Sequence, residues 1–146
     1  MARPVLRGAR PGESDSVANL HAATATVAYA HIFPAQPFPL EATRQRWRHY
    51  RGRIIVADTG IGLAGFVAFD GEWLNALYVL PEYWDSGLGH RLLAAAGRPR
   101  LLWVLAANDR GRRFYERHGW RPDGVEREYL GAVELRYSRS PAPGPR

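Results

Sequence analysis

A chain of 146 residues, 46% apolar and 12% aromatic, can bury one real core, and that composition excludes wholesale disorder. It has no cysteine, which excludes disulfides, thiolate catalysis and cysteine-bound zinc, and no apolar run approaches the ~18 residues that span a bilayer. The net charge is +6, and all 20 basic residues are arginine, scattered without a dense block or an aromatic-interleaved patch. That balance suits a polyanionic small ligand, while nucleic acid is not expected as a partner. The first fifteen residues lack the apolar core of a secretory signal, so a cytoplasmic protein without membrane association is expected. The five histidines form no HxxxH or HxH pair, so no metal is expected.

In chain order, residues 4–10 read as a first strand, and Pro11-Gly12-Glu13 turns into a helix. Val17, Ala18, Leu20, His21 and Val27 recur there near helical spacing, to about Tyr29. Residues 33–39 form a proline-rich loop, and residues 40–50 a second, amphipathic helix. Residues 53–58 and 63–70 are strands joined by Thr59-Gly60-Ile61-Gly62. Asp70-Gly71 then turns the chain into a fourth strand over 72–80, antiparallel to the third. Pro81 ends that strand because it has no N–H to give a ladder. Asp85-Ser86-Gly87-Leu88-Gly89 is a turn, and residues 90–96 are helix formers. A helix that opens on a glycine turn presents unpaired N–H groups and its positive end, a setting suited to phosphate. After Gly97-Arg98-Pro99-Arg100, residues 101–105 form a buried strand. The intervening helix requires it to run parallel to the fourth. Residues 110–118 are a helix ended by Gly119, and residues 120–122 and 129–137 complete the sheet. One domain over 1–139 and a disordered tail over 140–146 are expected, without internal repeats.

The apolar strand, Val79-Leu80-Pro81 and Gly87-Leu88-Gly89 together resemble motif A of the GCN5-related N-acetyltransferases: V-x-P followed by Q/R-x-x-G-x-G/A. Trp84 stands where Gln or Arg is usual, and the link from Gly89 to Leu101 is short for the family. A second stretch, Asn108-Asp109-Arg110-Gly111-Arg112-Arg113-Phe114-Tyr115, continuing to Gly119-Trp120, is similar to motif B of the same family, with Trp120 in place of Phe. Asn108 suits a helix N-cap. Gly111 and Tyr115 are four apart and share a helix face, where a glycine leaves room for a ligand.

The resemblance covers residues 5 to about 139. It implies an α/β fold: a mixed, mostly antiparallel central sheet, helices on both faces, and fourth and fifth strands splayed apart at a bulge. It also implies acetyl-CoA as co-substrate and an amine-bearing acceptor, taken here as a small molecule. A protein or peptide acceptor, an aminoacyl-tRNA acceptor, a non-catalytic CoA sensor and a homodimer are left open. The acyl arm would pair with Leu77, Tyr78 and Val79. The pyrophosphate would sit on Trp84, Asp85, Ser86, Gly87, Leu88, Gly89 and His90, with Asn108 and Gly111 positioning the cofactor. An N–H near Val79 would face the developing oxyanion. Tyr115 is the expected acid for the leaving thiolate and Glu72 the expected base, acting through water. Tyr29, His31, Phe33, Phe38 and Trp47 are expected around the acceptor, with help from residues 126–131.

Overall fold

The computed structural model describes residues 3–33 and 37–140. Residues 141–146 of the tail expected over 140–146, and the middle of the proline-rich loop, 34–36, lie outside them. Five strands match the sequence expectation closely: β1 (Val5–Gly8), β2 (Arg53–Asp58), β3 (Leu63–Asp70), β4 (Trp73–Val79) and β5 (Leu101–Leu105). The helices are α1 (Ser14–Ala28), α2 (Leu40–Arg48), α3 (Leu88–Ala96) and α4 (Asp109–Arg117), with a single 3₁₀ turn over Pro81–Tyr83. Two more strands, β6 (Arg121–Tyr129) and β7 (Ala132–Ser138), complete one seven-stranded sheet in the order β1-β2-β3-β4-β5-β7-β6. Among the described residues, only the β4–β5 pair is parallel.

Strand alternation divides the core into two layers. Val56, Phe66 and Ala68 face α1 and α2, where they meet Val17, Leu20 and Trp47. Ala57, Val67 and Phe69 face the other way, onto Leu88, Leu92 and Leu93 of α3 and onto Trp120. In β4 the alternation breaks. Leu74 joins the α3 layer and Ala76 the α1 layer, although they are two residues apart. The register explains this: Phe69 pairs with Leu74 and Ala68 with Ala76, so Asn75 is an inserted bulge residue. A bulge bends its strand and re-aims the residues beyond it. Accordingly β4 and β5 pair only at Trp73↔Leu101 and Leu74↔Leu102 and then part.

Two sequence expectations need correction. The motif A helix begins at Leu88, so Leu88 and Gly89 belong to its first turn and not to the loop. Residues 129–137 are not one strand. Leu130 and Gly131, with φ of +50° and +83°, form a tight turn between β6 and β7. The strand over 121–129 is hidden in the sequence because all nine of its residues are exposed, and Pro122, Asp123 and Gly124 are poor strand formers. Pairing with β7 fixes it, across an irregular register between Pro122 and Glu126.

Candidate active site

The wedge between β4 and β5 opens into a cleft of about 1290 Å³. Leu77, Tyr78 and Val79 line one wall, and Trp103, Val104 and Leu105 the other. From the end of β4 the chain enters the 3₁₀ turn and then reverses through Asp85 (φ +63°) and Gly87 (φ +86°) into α3. A left-handed φ is costly for a side chain with a Cβ, so Gly87 is the residue that allows the turn to close on the helix. The Leu88 N–H is taken by Ser86 Oγ at 3.3 Å. Ser86 and Leu88 do not line the cleft. Ser86 shapes the turn, and Leu88 is buried beneath α3. Trp84, Asp85, Gly87, Gly89 and His90 do line it.

Trp84 has a defined role in this arrangement. Its indole N–H donates to the Val79 carbonyl at 2.8 Å, tying the turn back to β4. The Arg110 guanidinium lies 4.2 Å over the indole and donates to Asp85 at 3.2 Å, which links the turn to α4. Nothing in the sequence points to Arg110. His90 and His118 also meet across this gap. His118 Nδ1 donates to the Phe114 carbonyl (2.8 Å), so its Nε2 accepts from His90 Nδ1 (2.9 Å).

On α4, the Asn108 Oδ1 accepts from the Gly111 N–H at 3.0 Å and caps the helix. A Cβ at Gly111 would stand 2.5 Å from Asn108 Nδ2. The glycine therefore makes room for the cap, and it lines the cleft as well. Tyr115 lines the cleft one turn further on. Burial first, and Tyr78 second, push its phenol well above its ordinary range, so it stays protonated at neutral pH.

The far side of the cleft is lined by His21, Tyr29, Phe33, Phe38, Tyr78 and Tyr129. His21 Nδ1 accepts from the Trp47 indole at 3.0 Å, and its ring stacks on Tyr78 at 4.2 Å. Burial, then Arg46, lower its pKa to about 3, so it is neutral and carries its proton on Nε2. Tyr29 donates to Tyr78 at 3.4 Å, and burial raises both phenols. Trp47 is 2% exposed and belongs to the core beneath the pocket. His31 Nε2 contacts the Ala107 carbonyl at 3.0 Å and does not line the cleft.

Glu72 is not brought to the site. Its carboxylate pairs with Arg100, and its backbone carbonyl accepts from Arg100 and Leu101 N–H at 2.8 and 2.9 Å. It stands at the closed end of the β4–β5 wedge, where it holds the two strands together. The carboxylates that do line the cleft are Asp85 and Glu134, and Glu134 carries no expected role in the sequence. Its one signal is its place with Ala132 and Arg136 on the non-core parity of β7, and that parity shows only once the β6–β7 turn is recognised. Among the described residues no cluster of three metal-ligating side chains exists, and no helix is long and apolar enough to cross a membrane.

The site thus rests on a mixed sheet whose one parallel pair opens at a bulge, above a glycine turn that starts a helix. Residues 50–122 match the family model described as the acetyltransferase (GNAT) domain, and the chain belongs to that family. An uncharacterized N-acetyltransferase of Archaeoglobus fulgidus is 33% identical over 42% of this chain and 55% of its own. The chain thus spans about half the length of that relative. Among solved structures, the apo form of YjaB from Escherichia coli superposes with a TM-score of 0.75 at 18% identity, covering 97% of this chain and 100% of that one. The PaiA N-acetyltransferase of Thermoplasma acidophilum, solved in complex with coenzyme A, gives 0.73 at 18% identity, covering 94% and 99%. At these identities the likeness is one of fold.

Proposed function

We propose that this chain transfers an acetyl group from acetyl-CoA directly to the nitrogen of a primary amine on a small molecule. The observation that carries the reading is the β4–β5 wedge, which has the Gly87 turn at one end and Asn108 and Tyr115 on its flank, all lining one cleft. The PaiA neighbour holding coenzyme A supports the choice of donor. The cleft suits such a molecule on its own terms. Past the Leu74↔Leu102 pair its strand walls lack a ladder partner across the wedge beside Leu77, Tyr78 and Val79, apart from the Val79 carbonyl that Trp84 takes, and the first turn of α3 offers the N–H groups of Gly89 and His90. Arg110, Arg113 and Arg117 line the same side, where a polyanion would need cations.

Catalysis then divides among residues already placed. A backbone N–H next to Val79 faces the developing oxyanion. Tyr115, protonated at neutral pH, gives a hydrogen bond and then a proton to the departing thiolate, whose own pKa is near ~8.5. Asn108 holds the start of α4 and thereby the height of Tyr115 above the wedge.

The test is calorimetry with acetyl-CoA, followed by free-thiol release over a panel of amines and peptides. Binding with amine-dependent thiol release is the expected result. Absence of binding would overturn the reading. Binding with turnover only on peptides would replace the small-molecule acceptor with a peptide.

A further inference from the structure

The cleft is one space with two chemistries. Towards α3 and α4 its lining carries the cations Arg110, Arg113 and Arg117. Towards α1 and β7 it is a continuous arc of rings. Phe38 meets His21 at 5.4 Å, His21 stacks on Tyr78 at 4.2 Å, and Tyr78 meets Tyr29 at 6.5 Å. Tyr29 then meets Phe33 at 6.5 Å, and Phe33 meets Tyr129 at 6.3 Å. His21 is neutral, so the rings themselves bring no positive charge.

One carboxylate belongs to this half. The Glu134 side chain is 12% exposed, whereas Asp85, at the other end, is 85% exposed and paired with Arg110. Glu134 Oε1 accepts from Arg127 Nε at 2.7 Å, and Oε2 accepts from no described residue. Arg127 is half exposed, and pairs of that kind are weak enough for a second cation to share the carboxylate. Glu134 sits opposite Leu105 in the β5–β7 register, at the end of β5 that has already parted from β4. Glu134 lines the same cleft as Tyr29 and Tyr78.

Resting on the acyl-transfer reading above, we propose that Glu134 is the acceptor-binding carboxylate. It docks the ammonium of a primary amine whose aromatic or similarly flat apolar body lies on the ring arc, and it takes that ammonium's first proton. An amine with a second positive charge is disfavoured, because Arg46 lines the same half of the cleft. Atoms and electrons balance through the step. The ammonium gives one proton to Glu134, and the freed nitrogen lone pair forms the N–C bond to the thioester carbonyl carbon. The carbonyl π pair moves to oxygen, then returns as the C–S bond breaks and its electrons leave on sulfur. The thiolate takes the Tyr115 proton, the surplus proton on nitrogen restores the phenol through water, and Glu134 releases its proton to solvent. The products are the amide, the thiol and one proton.

The experiment is calorimetry on the full chain, with and without coenzyme A, using phenethylamine, its neutral isostere 2-phenylethanol, and spermidine. Phenethylamine is expected to bind at least tenfold tighter than 2-phenylethanol and tighter than spermidine. Glu134→Gln is expected to erase that tenfold preference while coenzyme A affinity stays within twofold. Arg127→Gln, which removes the competing cation, is expected to tighten the amine; a merely structural role for the pair would weaken it in both variants. An amine affinity unchanged in Glu134→Gln, no preference for amine over alcohol, or a preference for spermidine would each overturn the proposal. Amine binding that depends on Glu134 in a protein that ignores coenzyme A would uphold the carboxylate's role and overturn the acyl-transfer reading instead.

Discussion

Gly111→Ala tests the most specific contact on α4, and its sign can be worked out beforehand. In a helix interior, alanine is favoured over glycine by about 0.8–1 kcal/mol. Here the new methyl would stand 2.5 Å from Asn108 Nδ2 and 3.0 Å from its Cγ, so the Asn108 side chain must swing away and its 3.0 Å cap bond to the residue-111 N–H is lost. Losing an N-cap costs about 1 kcal/mol, within a range of roughly 0.5–2. The two effects cancel, and Gly111→Ala should leave stability within about 0.5 kcal/mol of the parent. In an Asn108→Ala background there is no cap to lose, and the same substitution should stabilise by close to the full propensity difference. The double-mutant cycle should therefore show a coupling of about 1 kcal/mol. Urea denaturation of the four proteins measures it, and the corresponding Tm differences are about 2–4 °C. If Gly111→Ala stabilises equally in both backgrounds, the cap does not crowd Gly111 and the reason given for the glycine is mistaken.

Tyr115→Phe should lower kcat by about 10²-fold or more with acetyl-CoA affinity little changed, since positioned proton donors contribute roughly 10²–10⁴; an unchanged kcat across the pH range would remove Tyr115 as the acid. Gly87→Val forces a β-branched residue to φ +86° with open space around its Cβ, so its cost is conformational, about 1–2 kcal/mol of stability. It should also weaken acetyl-CoA at least tenfold, and normal affinity in calorimetry would move the phosphate site elsewhere. The buried His21 makes stability depend on pH. Its folded pKa, about 3, lies below the unfolded 6.5, so the unfolded chain binds more protons in between. The stabilisation is complete above about 6.5 and is lost as pH falls towards 3, at about 1.4 kcal/mol per unit. Glu13, held at about 2 by hydrogen bonds from Arg7 and the Arg10 N–H, acts in the same direction only below its ordinary 4.5. Denaturation between pH 6.5 and 4.5 therefore reads His21, and a His21→Gln variant with an undiminished slope there would refute the assignment.

The sequence makes β2 to β5 legible because each strand is apolar on both faces and is bounded by glycine or proline. The parallel β4–β5 pair follows from the helix between them. The two motifs place the Gly87 turn, Asn108 and Tyr115 along one cleft. What the sequence conceals lies in features that residue type does not carry. The β6 strand, held by its partner, has no hydrophobic alternation to read. Glu72 and Glu134 are chemically alike, and only the closed end of the wedge for one and the open cleft for the other tell them apart. Trp84 stands in the sequence only as a departure from the motif, and the fold shows it donating to Val79 and covered by Arg110.

That indole also bears on the open margin of the sheet. Where β4 leaves β5, two strands show unsatisfied margins in mid-sheet, the kind of surface that proteins elsewhere blunt with charge, proline or a covering segment, because any extended chain can add to it. Here the margin is only a few residues deep, and Trp84 already occupies its last carbonyl. A stray strand thus finds a short ladder with one rung taken, at the point where the sheet is least complete.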